Sequence, residues 1–410
     1  MRFSLALIAS LALGANVFAV PLEERCNDGS CHKPKPEPLP EGVRARVMMS
    51  VSPEGQYMLP LSVGTPYQTG FNVVFDTGSE ESWLPTSAAC PDCSSGTYDP
   101  SASSSAVKQD DKPHRIEYDN GQCATVETYQ DTVTWGSTWE VSYNNFTIGA
   151  ATKLEGFENN NVGYFGFGNP EALKLITGAD KDHYEGGSKK LRKRNKEDDH
   201  GAGPGDPKPA DDNQWTKRQE SRGVPLTLGI DNTAYTGEIY YFNLPASRSD
   251  CENQSIFWRT ALKGVGLKDT YDCDVPLGSY VKFATGTYAI KAPPVQADIL
   301  HLKFGAIYNI FEHRYEFKCS KAVPDLQLQF ENYQINIPRL LWTDPINPDD
   351  RSEDAKCYSH IRRGSDRFKE WTIGTSVLNE FYQVYSYDML RVGLAHPAQE
   401  GYVATITNIE

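Results

Sequence analysis

The chain has 410 residues, of which 54 are acidic and 40 basic, giving a net charge of −14; 39% are hydrophobic, with 33 Gly and 26 Pro. That length exceeds one small module and allows a large core, the apolar content excludes wholesale disorder, and the Gly and Pro content argues against a helical bundle or a multispanning membrane protein. The negative balance disfavours nucleic acid and anionic membranes as partners, since both would repel it.

In chain order, Met1-Arg2 leads into an apolar run from Phe3 to Ala19, followed by Val20-Pro21. Residues 1–19 are predicted to be a secretory signal peptide, because about 17 residues broken by Ser10, Gly14 and Asn16 barely cross a bilayer core of roughly 30 Å. The protein is therefore expected to be secreted and extracellular, and Thr407-Asn408-Ile409-Glu410 carries no hydrophobic tail for a lipid anchor. Nine cysteines follow: Cys26, Cys31, Cys90, Cys93, Cys123, Cys251, Cys273, Cys319 and Cys357. An oxidising route makes disulfides the expectation. Nine is odd, so at least one thiol stays free or pairs with another chain, with Cys26, Cys31 and Cys123 as candidates. Cys90-Pro91-Asp92-Cys93 reads better as a small disulfide loop than as a zinc knuckle, which lacks a second ligand pair. No His-Glu-x-x-His occurs, so neither a metal nor another cofactor is expected. Asn145-Phe146-Thr147 and Asn253-Gln254-Ser255 are glycosylation sequons.

Residues 20–50 are taken as an N-terminal extended segment, rich in Pro and charge up to about Gly42. Strand-like runs begin near Tyr57–Val63 and recur in short lengths to about Gly168, marking a first β-rich lobe over residues 51–174. Residues 175–223 form a charged insert, expected to be disordered or a long surface loop. It carries Lys189-Lys190-Leu191-Arg192-Lys193-Arg194, then Glu197-Asp198-Asp199, then Lys217-Arg218. Polyanion binding, cleavage by a secretory-pathway protease at Arg194 or Lys217-Arg218, and a solvated loop without a role all remain open readings. From Val224 the β-like pattern resumes to about Ile406, giving a second lobe over residues 224–410.

An internal repeat organises the two lobes. Phe71–Phe75 leads into Asp76-Thr77-Gly78-Ser79, and Tyr280–Phe283 leads into Ala284-Thr285-Gly286-Thr287. A second apolar-apolar-Gly step follows at Tyr164-Phe165-Gly166 and Thr372-Ile373-Gly374, and 88 residues separate Gly78 from Gly166 as they separate Gly286 from Gly374. Two β-rich lobes related by an approximate two-fold axis are expected, with the two x-Thr-Gly turns meeting at a cleft.

Asp76-Thr77-Gly78-Ser79 before Trp83-Leu84-Pro85, its second copy, and Trp371-Thr372-Ile373-Gly374 running on to Tyr385 together resemble the pepsin-like aspartic endopeptidases of the fungal secreted type, from about Tyr57 to Ala395. Leu61-Ser62-Val63-Gly64-Thr65-Pro66, Leu226–Asp231 and Arg391–Ala395 carry the same resemblance. It implies an all-β, bilobed fold with pseudo-two-fold symmetry and a central cleft, an extended peptide or protein as substrate or ligand, and a monomer. In that family two aspartates share a proton and activate a water, one acting as base and the other as acid, because close carboxylates cannot both ionise. Asp76 matches the first aspartate; the second position is Ala284, which has nothing to ionise. The resemblance assigns Gly78, Ser79, Gly286 and Thr287 to substrate binding, Thr77 and Thr285 to support of the two loops, and a disulfide to Cys319 and Cys357. Lys282, two residues before Ala284 on the same strand, is either a stand-in titratable group or a partly solvated strand residue. Ile116–Gln122 reads as a hairpin with an Asn120-Gly121 turn, at the place of the family's mobile flap, and Tyr118 matches the flap tyrosine; Asp119 replaces the usual Gly, and Cys123 is unusual so near the tip. The roughly 37 residues between Ala19 and Tyr57 are fewer than the family's basic pro-segment, and a strand expected between Gly168 and Val224 is not evident. Two functions follow: a secreted endopeptidase with hydrolysis impaired by Ala284, or a pseudoprotease that binds peptides or proteins without cutting them.

Overall fold

The computed structural model describes residues 45–93, 96–109, 112–118, 121–135, 141–157, 163–168, 224–245, 258–268, 271–274, 279–364, 370–386 and 389–409. The insert over 175–223, Cys26, Cys31, Cys251 and Asn253 lie outside them. Strands dominate, and the two described α-helices are short, Pro294–Leu302 and Thr375–Leu378. The all-β, bilobed architecture is as expected.

The first lobe is built on a ten-stranded sheet. Its order is Val224–Leu228, Ala45–Val51, Tyr57–Val63, Gln68–Asp76, Tyr164–Gly166, Trp83–Pro85, Val141–Glu155, Cys123–Trp135 and Val107–Lys108, with His114–Glu117 also paired to Cys123–Trp135. The opening strand, Ala45–Val51, precedes the point where strands were expected and begins inside the stretch read as an N-terminal segment. It forms because Val47, Met49 and Val51 alternate into the core while Met48 and Ser50 face out. Val224–Leu228 pairs antiparallel with it, Met49 opposite Val224, so the first residues assigned to the second lobe complete the first sheet.

Gln68–Asp76 changes character along its length. Gln68, Thr69 and Gly70 lie toward solvent and Phe71-Asn72-Val73 alternates, whereas Val73, Val74 and Phe75 are all buried because the strand ends between layers, beside the parallel strand Tyr164–Gly166. The second lobe repeats this arrangement 208 residues later. Phe75 opposite Phe165 becomes Phe283 opposite Ile373, and Trp83 opposite Tyr164 becomes Lys291 opposite Thr372. The repeat seen in the sequence is therefore a repeat of strand register. It brings the ends of Gln68–Asp76 and Tyr280–Phe283 together between the lobes, over a core that includes Phe75, Phe165, Phe167, Trp258 and Phe283.

Two disulfides are present among the described residues, Cys90–Cys93 and Cys319–Cys357, as expected. The second joins Cys357 on the strand Lys356–Ser359 to the residue just beyond its neighbour Arg314–Lys318. Among the three candidates for the unpaired thiol, Cys123 is free and buried. Asn145 is exposed on the long strand Val141–Glu155.

Candidate active site

The two x-Thr-Gly turns grip each other through their threonines. Thr77 and Thr285 are 0% and 1% exposed. The Thr77 amide donates to Thr285 Oγ1 at 3.1 Å, and the Thr285 amide donates to Thr77 Oγ1 at 3.0 Å. Each hydroxyl then donates onward across the axis, Thr77 Oγ1 to Phe283 O at 2.8 Å and Thr285 Oγ1 to Phe75 O at 2.6 Å. A hydroxyl can accept and donate at once, so two side chains satisfy two amides and two carbonyls that burial would otherwise leave unpaired. This fixes the loops to one another whatever stands at positions 76 and 284.

Asp76 ends its strand at 5% exposure and projects its carboxylate across the axis. Oδ1 accepts from the Gly78 amide at 2.7 Å and the Gly286 amide at 3.1 Å, while Oδ2 accepts a short hydrogen bond from the Ser79 hydroxyl. Only glycine fits at 286, because a Cβ there would fall 2.2 Å from Asp76 Cγ. The related place in the first loop has a different neighbour. A Cβ on Gly78 would meet Ala284 Cβ at 2.9 Å, so a methyl group faces Gly78 where a carboxylate faces Gly286. Ala284 itself is held in the sheet, its amide donating to Ile373 O at 3.0 Å. Thr287 lies next to the short helix, its carbonyl accepting from the Thr375 amide at 2.8 Å, and the Gln56 side chain donates to Gly286 O at 2.7 Å.

Lys282 does not stand in for a second acid. Its Nζ lies 3.8 Å from Glu370 Oε1, and Arg259 Nη1 lies 3.6 Å from the same carboxylate. The strand pairing puts Lys282 between Arg259 and Thr372, so its charge is answered within the sheet.

The hairpin expected over Ile116–Gln122 is present, with Glu117 opposite Cys123. The Gly121 amide donates to Tyr118 O at 3.0 Å and the Tyr118 amide to Gln122 O at 2.9 Å. The turn thus closes one residue earlier than an Asn120-Gly121 centre requires. Gly121, at φ 82°, is the left-handed residue that ends a three-residue hairpin loop. Tyr118 folds inward: its hydroxyl accepts from Trp83 Nε1 at 2.7 Å, and its ring packs 4.8 Å from that of Tyr164 and edge-on to Phe157. Burial, with Tyr164 beside it, pushes the Tyr118 phenol well above its usual range, so it stays neutral.

The sequence reading passed over Glu80, Glu81 and His114. Glu81 Oε2 lies 2.5 Å from His114 Nε2, which ties the loop after Asp76 to the first strand of the hairpin. Burial first, and the neighbouring Glu81 second, push the Glu80 carboxyl up from 4.5 to about 7. Two adjacent acids between a buried turn and Trp83 were the available signal. Glu80 binds its proton more tightly in the folded chain, so its contribution to stability is complete below about pH 4.5 and is lost as pH rises through about 7. Glu80→Gln is expected to match the parent near the lower of these values and to melt above it near the upper one. A thermal-unfolding series across that window would show it, and parallel curves for the two proteins would contradict the assignment.

The turns and the sheet register agree with an independent comparison of the whole sequence. The family described as eukaryotic aspartyl protease matches residues 56–177 and 214–397. The chain belongs to that family. Aspartyl protease relatives include an embryonic pepsinogen of Gallus gallus, 25% identical over 352 residues, covering 83% of this chain and 80% of the relative. A vacuolar aspartic protease of Candida albicans is 25% identical over 83% of this chain and 75% of its own length. An aspartic protease of Phaffia rhodozyma is 25% identical over 86% and 78%. Membership of the aspartyl proteases implies a peptide as the bound substrate. No helix among the described residues is long and apolar enough to cross a membrane.

Proposed function

We propose that this aspartyl protease family member is a secreted peptide-binding protein whose hydrolytic step is impaired because Ala284 stands where the second catalytic aspartate would be. The observation that carries the reading is the methyl of Ala284 facing Gly78 while the Asp76 carboxylate faces Gly286. Asp76 is left to take the proton from an attacking water, with no second carboxyl to protonate the scissile carbonyl oxygen. Loss of one positioned acid costs roughly 10²- to 10⁴-fold in rate, and more where two groups act as a unit. Gly78, Ser79, Gly286, Thr287 and the covering Tyr118 then hold an extended chain in the cleft. The apolar run before Ala19 and the disulfides support secretion, the exposed Asn145 supports glycosylation, and the net charge argues against nucleic acid. A monomer is part of the same reading. The second reading, a pseudoprotease with no turnover, rests on the same alanine.

Quenched-fluorescent peptides incubated with the purified protein at roughly pH 3 to 6, where a carboxyl pair would share a proton, test both readings. Slow cleavage that Asp76→Asn abolishes supports the impaired enzyme. Peptide binding without cleavage supports the pseudoprotease, and cleavage at the rate of an intact protease would overturn both.

A further inference from the structure

We infer that an outward apolar face of the second lobe docks on a phospholipid surface whose headgroups carry no net charge. Nothing in this depends on how the cleft works. The face begins on the helix Pro294–Leu302, whose polarity is inverted. A surface helix ordinarily turns its apolar stripe inward. Here the exposed residues are Val295, Ile299 and Leu302 alone, and their spacing of four and three puts them on one side. The polar side chains are committed to protein partners instead. Gln296 Oε1 accepts from Trp371 Nε1 at 2.5 Å, and Asp298 Oδ1 accepts from the Tyr315 hydroxyl and from Arg363 Nη2 at 2.7 Å. His301 is fully buried, its ring stacked 3.6 Å from that of Tyr315. These partners fix the rotation of the helix and leave its apolar stripe in solvent. The helix packs beside the strand Ile307–Asn309, which forms a hairpin with Arg314–Lys318. On that hairpin Ile307, Ile310 and Phe311 are exposed as well, so the stripe continues to the hairpin turn. The six side chains expose on the order of 600 Å², the upper end of what the largest patch on a soluble monomer reaches, and patches of that size mark interaction surfaces.

Two features select the occupant. The first is shape. Leu302, Ile307 and Phe311 are 71%, 75% and 85% exposed, values that side chains sunk in a groove do not reach. A convex face of this kind calls for a partner that gives way around it. A lipid interface admits apolar side chains without a matching hollow, whereas a protein partner has to supply one. The second is charge. Over residues 294–321 the bases Lys303, Arg314, Lys318 and Lys321 outnumber the acids Asp298, Glu312 and Glu316 by one, although the whole chain carries −14. The acidic excess therefore lies elsewhere, and this face is one that headgroup phosphates do not repel. Lys303 directly follows Leu302, and the exposed His313 stands two residues after Phe311. A base so placed reaches a phosphate while the apolar side chain beside it enters the acyl boundary. The charge of the whole still opposes a strongly anionic surface, so neutral headgroups are assigned.

The test is flotation of the purified full chain with phosphatidylcholine vesicles, at low and high salt. The parent is compared with Leu302→Asp, Phe311→Asp and a control, Val107→Asp, which alters an exposed apolar residue of the first lobe. All four are first checked for cooperative thermal unfolding. The parent is expected to float with an association constant of roughly 10³ to 10⁴ M⁻¹ in lipid, the range of one acyl chain, at either salt concentration. Leu302→Asp and Phe311→Asp should each weaken it at least about tenfold, the worth of burying one large apolar side chain, and Val107→Asp should leave it unchanged. Adding phosphatidylserine should not strengthen it. Binding that appears only with phosphatidylserine and vanishes in high salt would be plain charge attraction and would overturn the inference, as would equal weakening by Val107→Asp. Light scattering on the same samples covers the remaining occupant: a dimer that Phe311→Asp dissolves, with no flotation of the parent, gives the face to a second copy and overturns the lipid assignment. A parent that neither floats nor dimerises overturns it too.

Discussion

Ala284→Asp is expected to raise peptide hydrolysis by roughly 10²- to 10⁴-fold over the unaltered chain, the usual worth of one positioned acid-base group. The substitution asks little of the fold. Position 284 already has its Cβ directed at Gly78, and its backbone amide is held by Ile373 O. Gly286, Thr287 and Thr285 repeat Gly78, Ser79 and Thr77 around it. One rearrangement is needed: the Gly286 amide, which now donates to Asp76 Oδ1, has to serve the new carboxylate as the Gly78 amide serves Asp76. Single-turnover rates near pH 4 for the two proteins, with Asp76→Asn/Ala284→Asp as control, measure the effect apart from product release. A folded variant that binds peptide yet cuts no faster would show that something besides residue 284 limits the chemistry.

Thr285→Val is expected to cost about 2 to 6 kcal/mol of stability. The change conserves shape, so no cavity contributes, but it leaves Phe75 O and the Thr77 amide without partners in a buried place, at about 1–3 kcal/mol for each orphaned group. Thr77→Val should cost a similar amount by stranding Phe283 O and the Thr285 amide. The double variant should cost less than the sum, because each hydroxyl accepts from the other turn while donating across it, and neighbours in one network do not add. Urea unfolding of the four proteins gives the coupling. A loss below about 1 kcal/mol for either single change would mean that the turns are held mainly by the apolar core beneath them.

Much of this architecture could be read before the structure. The two x-Thr-Gly turns and the equal spacing to Gly166 and Gly374 foretold a register repeat that the sheets reproduce pair by pair. The alternation of Val47, Met49 and Val51 was also present in the sequence, masked by the Pro-rich stretch ahead of it. Lys282 shows where local pattern fails. Strand periodicity put it on the same side as Ala284, but its partner Glu370 lies on a parallel strand from a distant part of the chain, and nothing local announces that pairing. The link from Glu81 to His114 escaped for the same reason. The Asn120-Gly121 turn was misplaced by one residue because Gly serves equally well inside a two-residue turn or just after a longer one, and only the cross-strand register separates the two.

The strand Val224–Leu228 carries a consequence for chain scission. Upstream of the insert, the Gly168 amide is fastened to Ser79 O; downstream, Val224–Leu228 lies along Ala45–Val51 in the same sheet. Both flanks of the segment with Lys217-Arg218 thus belong to one β-layer, and the threonine grip clamps the halves again at the axis. A cut within that segment would yield two polypeptides that migrate separately under denaturing conditions yet travel together as one particle in native buffer. Backbone continuity there is dispensable for keeping the halves assembled, in the way a nicked hinge leaves a riveted plate whole.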